Sequence, residues 1–256
     1  MMINNSAEYE KMQAAEGSHW WYRNLHRLTL EALTSGVQLP FDAAILDAGC
    51  GTGGMMLALQ AAGFTHVEGF DLSDDAVGFC KRHGLKACKG DLRLMGTQYQ
   101  GRLFDVMISH DTICYLSYTE QQRYFADVAL LLKPGGLLIM NAPINPAFAG
   151  THDLAVGIRE RLSQKQLISL SVDAGLIVKR CWVWPFVLSS AIWLVRSTQR
   201  LKIRFGVKQQ SPESDVSLPP PWLNRSLLMV CLMDARMFKK PWWGSSCFLV
   251  AEKSES

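Results

Sequence analysis

Residues 45–54 read ILDAGCGTGG, and two glycine patterns fit them at once. Gly49, Gly51 and Gly54 spell G-x-G-x-x-G, the pattern of dinucleotide-binding loops. Gly49, Gly51 and Gly53 spell G-x-G-x-G, with Asp47 two residues ahead. In either pattern an apolar strand feeds a helix through residues without Cβ atoms, so a ligand can approach the backbone closely. A helix N-terminus at that point attracts a pyrophosphate. The carboxylate of Asp47 would repel one, yet it would orient a ligand bearing an ammonium group, directly or through water. The strands that follow decide between the two.

Strand and helix signals alternate from residue 44 to about 183. AAILDAG is a short apolar strand, MMLALQAAG a helix stopping at Gly63, and HVEGFDLS a second strand. SDDAVGFCKRHG reads as a helix with Ser73 or Asp74 as N-cap and Gly84 as C-cap. KACKGD and FDVMIS are strands. YTEQQRYFADVALLLKPGG is an amphipathic helix closed by Pro134 and the glycine pair, and LLIMNAP is a buried strand. SQKQLISLSVDAG forms a helix and LIVKRCWVW a strand. This alternation predicts βαβ units and a mostly parallel sheet, with ligand loops at the carboxyl ends of the strands. Asp71 ends the second strand, where a carboxylate can accept both ribose hydroxyls, as dehydrogenases also arrange. Asp91 ends the third, in KGDL, a position suited to an adenine amino group.

ILDAGCGTGG, EGFDLS, KGDL, FDVMISHDTICYL and LLKPGGLLIM resemble, in order and spacing, the class I S-adenosylmethionine-dependent methyltransferases. The resemblance covers residues 43–142 strongly. Toward the ends, EGSHWWYRNLHRL is similar to the N-terminal segment of a bacterial subset often placed near glycan, lipid or natural-product pathways. NRSLLMVCLMDARMF and GSSCFLVAEK are similar to that subset's last helix and final strand. The resemblance implies a Rossmann-like α/β fold: a seven-stranded, mostly parallel sheet with helices on both faces and an antiparallel last strand. It also implies a helical N-terminal cover and a C-terminal cap insertion. The loop then holds S-adenosyl-L-methionine, and the product is S-adenosyl-L-homocysteine. By resemblance Asp47, Gly49, Cys50, Gly51 and Gly53 lie at the methionine part. Asp71, with Leu72, takes the ribose; Asp91 and Leu92 flank the adenine; His110 follows the fourth strand beside the methionyl group. The implied activity is methyl transfer to a small molecule. The alternatives are non-methyl chemistry of the same sulfonium cofactor, or a non-catalytic binding or membrane-associated protein on the same fold.

Blander roles stand beside these. Asp47 can cap the adjoining turn, Asp71 can be an N-cap, and His110 can be a backbone-bonded histidine. His19, Trp20, Trp21 and Tyr22 can be packing aromatics. Three adjacent aromatics cannot all face one core from a helix, however, which favours Trp21 or Tyr22 at the cofactor mouth. His110 is the first candidate for a general base, and His152 with Asp153, in the loop NPAFAGTHD, the second. Related quinone-pathway O-methyltransferases carry Glu-His where this chain has Cys114-Tyr115. Tyr115 therefore stands near the substrate, as a hydrogen-bond donor or steering group, because a phenol of pKa about 10 is a poor base at neutral pH. No clear carboxylate set accompanies it, so no metal is expected.

The 256 residues, 48% of them hydrophobic, suit one large domain with an insertion. We divide them into a cover (1–42), a core (43–183), a cap (184–242) and a final strand with tail (243–256). The net charge of +3 does not point to nucleic acid. Seven scattered cysteines without a C-x-x-C pair argue against a disulfide framework or a zinc site. The N-terminus has no cationic region followed by an apolar core, so the expected compartment is the cytoplasm. CWVWPFVLSSAIWLV, residues 181–195, is shorter than the roughly 20 residues a membrane span needs. Arg196, Arg200, Lys202, Arg204 and Lys208 follow it. Residues 181–208 can therefore be a packed helix with a solvated basic flank, a peripheral membrane contact, or a substrate lid. QQSPESDVSLPPPW reads as a mobile surface loop. The oligomeric state and the acceptor's reacting atom are not legible.

Overall fold

The computed structural model describes residues 6–34, 39–204, 217–238 and 241–255. Its strands are β1 (Ile45–Ala48), β2 (Val67–Asp71), β3 (Lys86–Lys89), β4 (Phe104–His110), β5 (Leu132–Pro143), β6 (Leu176–Trp184) and β7 (Ser246–Lys253). Its helices are α1 (Ser6–Glu16), α2 (Trp20–Thr34), α3 (Gly54–Ala61), α4 (Asp74–Arg82), α5 (Met95–Gln98), α6 (Tyr118–Leu131), α7 (Thr151–Val156), α8 (Gln164–Asp173), α9 (Phe186–Arg204) and α10 (Pro221–Met237). The strands form one sheet in the order β3-β2-β1-β4-β5-β7-β6. β7 runs antiparallel to both its neighbours, and the other pairs are parallel. The expected Rossmann-like sheet is therefore present, with SSCFLVAEK as its antiparallel strand.

Alternation along the central strands splits the core into two layers. Leu46, Met107, Leu138, Met140 and Leu249 face one side with Tyr124, Phe125 and Leu167 from α6 and α8. Ile45, Ile108, Ile139 and Phe248 face the other with Leu25 and Leu28 of α2 and Met56 and Leu59 of α3. A sheet covered on both faces needs apolar residues at successive positions, hence the unbroken apolar runs in these strands. Local signals fix the ends. Ser73 is the N-cap of α4 and accepts a hydrogen bond from Ala76 N, while Gly84 follows the helix with φ +71. Ser117 and Glu120 form a reciprocal capping box on α6.

One boundary differs from the sequence reading. α6 ends at Leu131, and β5 already begins at Leu132, five residues before LLIMNAP. Leu132 is already extended, with ψ 140, and Pro134 pushes Lys133, the residue ahead of it, toward the same backbone region. The apolar run 181–195 divides at Pro185, with four residues in β6, as the strand LIVKRCWVW predicts, and the residues after the proline in α9. Among the described residues no helix is long and apolar enough to cross a membrane. Arg196 is buried, and Arg200 donates to the carbonyls of Ala147 and Ala149. Those two cations are turned into the protein rather than toward a solvated flank. Lys208 and residues 209–216 of the polar stretch lie outside the described residues, as do the side chains of Lys202 and Arg204.

Between β6 and β7, α9 lies against α7 and α10 lies against α2. Asn224 of α10 accepts from Trp20 N (2.8 Å) and donates to Ser18 O (2.8 Å). The insertion and the N-terminal helices thus meet over the carboxyl edge of the sheet.

Candidate active site

Two adjoining cavities open at that edge. The first lies over β1, β2 and β4, with walls from Asp47, Gly49, Cys50, Gly51, Asp71, Leu72, Leu92 and His110 and a roof of Tyr9, Met12, Glu16 and Tyr22. The second, larger one lies between the sheet edge and the insertion, lined by Trp20, Trp21, Phe148, His152, Ile192 and Arg196 among others. Met12, Tyr22, Asp111 and Tyr115 line both.

Asp47 in β1 is 2% exposed, and its Oδ2 has no hydrogen-bond partner. Burial, reinforced by the charges of Glu16 and Asp71, pushes its carboxyl up to about 8. Asp71 accepts from Gly51 N (3.0 Å) through Oδ2, and from Ser73 N (2.9 Å) and the Tyr9 hydroxyl (3.4 Å) through Oδ1. Burial raises its pKa against those hydrogen bonds. Glu16, on α1, is likewise buried and pushed up to about 7. The first cavity is thus walled by carboxylates.

His110 differs from the setting of a general base. Thr29 spends its single hydroxyl proton on Leu25 O (3.0 Å), so His110 Nε2, 3.1 Å away, donates to Thr29 Oγ1. Burial, with His26 nearby, pushes its pKa down to about 3, and its conjugate acid is strongly disfavoured. His110 lines the first cavity and not the second. Its neighbour Asp111 faces both. Asp111 has φ +56, unusual for a residue with a side chain. Asn141 Nδ2 donates to Asp111 Oδ1 (2.7 Å), and the Trp21 side chain also hydrogen-bonds to it. Trp184 Nε1 donates to Asn141 Oδ1 (2.8 Å), and the Trp184 ring stacks on Trp21 at 4.4 Å. The loop closes on itself and fixes the carboxylate, which burial raises to about 6.

Several expected residues fall elsewhere. Gly53 caps α3 on its far side, where a Cβ would lie 2.5 Å from Leu85 Cδ1. Asp91 does not line the first cavity: its carboxylate turns to Arg93, accepting from the backbone N (3.0 Å) and from Nε (2.9 Å), and these hold its pKa low. Trp21 lines the second cavity because its stacking on Trp184 draws it there; Tyr22 alone of the pair reaches the first. His152 also lines only the second. Asp153 does not serve as its partner base, being clamped by Arg161 at 2.6 and 2.8 Å. Tyr115, raised well above its ordinary pKa by burial, stays protonated, as expected of a donor. Sequence reasoning missed Tyr9, Glu16, His26 and Asp111.

Residues 45–136, which supply the glycine loop and the ends of β1, β2 and β4, match the family described as a methyltransferase domain. Residues 45–136 are a class I S-adenosylmethionine-dependent methyltransferase domain. The chain is 32% identical over 114 residues to a carboxy-S-adenosyl-L-methionine synthase of Colwellia psychrerythraea, covering 41% of this chain and 46% of that one. It is 26% identical over 137 residues to phosphoethanolamine N-methyltransferase 1 of Triticum aestivum, covering 52% and 27%. The aligned region thus spans less than half the length of these curated relatives. The geranyl diphosphate C-methyltransferase of Streptomyces coelicolor, solved with S-adenosyl-L-homocysteine, has the same fold (TM-score 0.58, 15% identity, 91% of this chain and 76% of that one). The methyltransferase domain's first cavity fits the family's cofactor. An unpartnered, buried Asp47 oxygen suits a ligand with an ammonium group, and the acidic walls suit a sulfonium cation rather than a pyrophosphate.

Proposed function

We propose that the chain transfers the methyl group of S-adenosyl-L-methionine to a small molecule with an apolar or aromatic part, held in the second cavity. The observation that carries this reading is the shared wall. A ligand in the first cavity and one in the second meet at Met12, Tyr22, Asp111 and Tyr115. The cofactor, when bound, supplies an already activated methyl group, so alignment of a nucleophile provides much of the acceleration. In the first cavity Asp71 holds the ribose, Leu72 and Leu92 the nucleoside, and Asp47 with the backbone of Gly49, Cys50 and Gly51 the methionine part. In the second, Trp20, Trp21, Phe148 and Ile192 exclude water and select an apolar body. Tyr115 donates a hydrogen bond to the acceptor. Asp111, rather than His110, takes its proton; His110 holds α2 to β4 through Thr29. His152 steers the acceptor from the far wall.

Incubating the purified chain with methyl-labelled cofactor and fractionated metabolites tests this. The account expects S-adenosyl-L-homocysteine and a labelled product in equal amounts. Binding without turnover across all fractions would favour the non-catalytic alternative. The relative named a carboxy-S-adenosyl-L-methionine synthase favours one second reading, chemistry that alters the cofactor itself. A modified cofactor appearing in place of a methylated metabolite would establish it.

We also read the four-part division proposed above into cover, core, cap and final strand as the working domain plan, with the cap roofing the acceptor. Trp193, Leu194 and Val195 of α9 are exposed, which supports peripheral membrane contact through residues 181–208. Cosedimentation with anionic vesicles, lost in Trp193→Ser, is the expected result.

A further inference from the structure

We infer that Glu16 of α1 is a cofactor-binding residue that shares the ligand's α-ammonium group with Asp47, so that ligand binding fastens α1 over the glycine loop. The inference rests on the reading of the first cavity as an S-adenosylmethionine site.

Glu16 lies in the roof of that cavity and is buried. It accepts hydrogen bonds from Gly54 N (2.9 Å) and from the Thr52 hydroxyl. Gly53, the N-cap of α3, makes no side-chain cap, so a distant helix supplies the carboxylate that a helix N-terminus favours. The docking is close enough to need the glycines. A Cβ on Gly54 would lie 2.6 Å from Glu16 Oε2, and one on Gly51 would lie 3.1 Å from Met12 Sδ. The glycine loop is therefore shaped to receive α1 as well as a ligand.

Electrostatics then asks for a cation. Glu16, Asp47 and Asp71 face one cavity, and none of them forms an ion pair among the described residues. Asp47 lines the cavity, and its Oδ2 is buried and unpartnered. On top of the effect of burial, the charge of Glu16 raises the pKa of Asp47, and the charge of Asp71 raises both. A group with several N–H donors and one positive charge satisfies both. Among the described residues no cluster has the convergence that a metal ion requires, and a phosphate has the wrong sign. The two carboxylates belong to different parts of the chain, α1 and β1. A cation between them ties those parts together.

Two probes separate this role from a merely structural one. S-adenosyl-L-homocysteine carries the ammonium; 5′-methylthioadenosine has the same nucleoside thioether without the amino-acid part. Calorimetry on the full chain should show Glu16→Gln losing roughly tenfold or more in affinity for S-adenosyl-L-homocysteine and keeping its affinity for 5′-methylthioadenosine. Glutamine retains an oxygen for Gly54 N and the Thr52 hydroxyl, and replaces the other carboxylate oxygen, with the charge, by an amide NH2 that cannot accept from an ammonium. Equal losses for both probes, or no loss for either, would overturn the inference. A second measurement needs no variant. In two buffers of different ionisation heat, the unmodified chain should release protons on binding S-adenosyl-L-homocysteine near neutral pH and not on binding 5′-methylthioadenosine. Identical proton release by the two also overturns it. If the unmodified chain binds neither probe, the reading of the cavity itself has failed, and the inference with it.

Discussion

Asp111 holds a left-handed backbone conformation at the end of β4. Asn141, Trp21 and Trp184 keep it there, with its carboxylate facing both cavities. Positions of this kind carry strain that the surroundings must offset. Asp111→Asn is expected to lower turnover on the order of a hundredfold while affinity for S-adenosyl-L-homocysteine changes far less. Because the carboxylate must be ionised to take a proton, the rate should climb as pH rises through about 6, and the variant should lose that limb. Turnover unchanged in Asp111→Asn would assign the proton elsewhere. Asp71→Ala removes a carboxylate placed for ribose and for the Gly51 amide, and should weaken the same ligand by about tenfold or more; an indifferent Asp71 would count against the site. Much of this wall was legible: Asp47, Asp71 and His110 line it from the strand ends, and Leu92 and Tyr115 line it where the family resemblance put them. Asp111 was not, because its significance lies in φ and in Asn141, thirty residues away, neither of which a sequence displays. His110 drew attention by its ordinary pKa, which burial removes.

At the scale of elements, α1 is the one the sequence said least about. Its pattern is weakly amphipathic, yet it supplies Tyr9, Met12 and Glu16 to the cofactor cavity. The aromatic run HWWYRN was read as the cover. In the structure it divides, with Tyr22 turned to the cofactor side and Trp21 stacked on Trp184. A period-3.6 pattern tells which residues share a helix face, and not which of two cavities that face meets. Deleting residues 1–18 removes α1 and leaves α2, whose Leu25, Leu28 and Leu33 are buried in the core. The truncated chain should keep its circular dichroism spectrum and bind S-adenosyl-L-homocysteine markedly more weakly. Unchanged affinity in a folded truncation would make α1 simple packing. The start of β5 was misplaced for a local reason, since proline marks an end without saying which element follows; the break at Pro185 agrees with the strand read in LIVKRCWVW.

For the whole molecule, the acidic cavity has a consequence for stability. Glu16 and Asp47 have folded pKa values of about 7 and 8, against ordinary values of 4.5 and 3.8. The folded chain therefore binds more protons than the unfolded chain over that window. The stability these groups contribute is fully present below about 4 and is lost as pH rises through 7 to 8. His26 and His110, held neutral by burial, act oppositely but only below their ordinary value of 6.5. The melting temperature of the ligand-free chain should accordingly fall between pH 6.5 and 8.5, and the slope should flatten in Asp47→Asn. A flat profile in the unmodified chain would show that the two carboxylates are not in the environment described. The mostly parallel sheet followed from the alternation of elements, and its seven strands with an antiparallel last one followed from the family resemblance. The meeting of insertion and N-terminal helices through Asn224 did not, because it joins segments some two hundred residues apart.

The central claim is that the loop at Ile45–Gly54 serves a sulfonium cofactor rather than a pyrophosphate-bearing one. Calorimetric titration of the full chain with S-adenosyl-L-homocysteine and, separately, with NAD tests it most directly. The account predicts saturable one-to-one binding of the first and no heat of binding from the second; tight binding of NAD, or none of S-adenosyl-L-homocysteine, would contradict it.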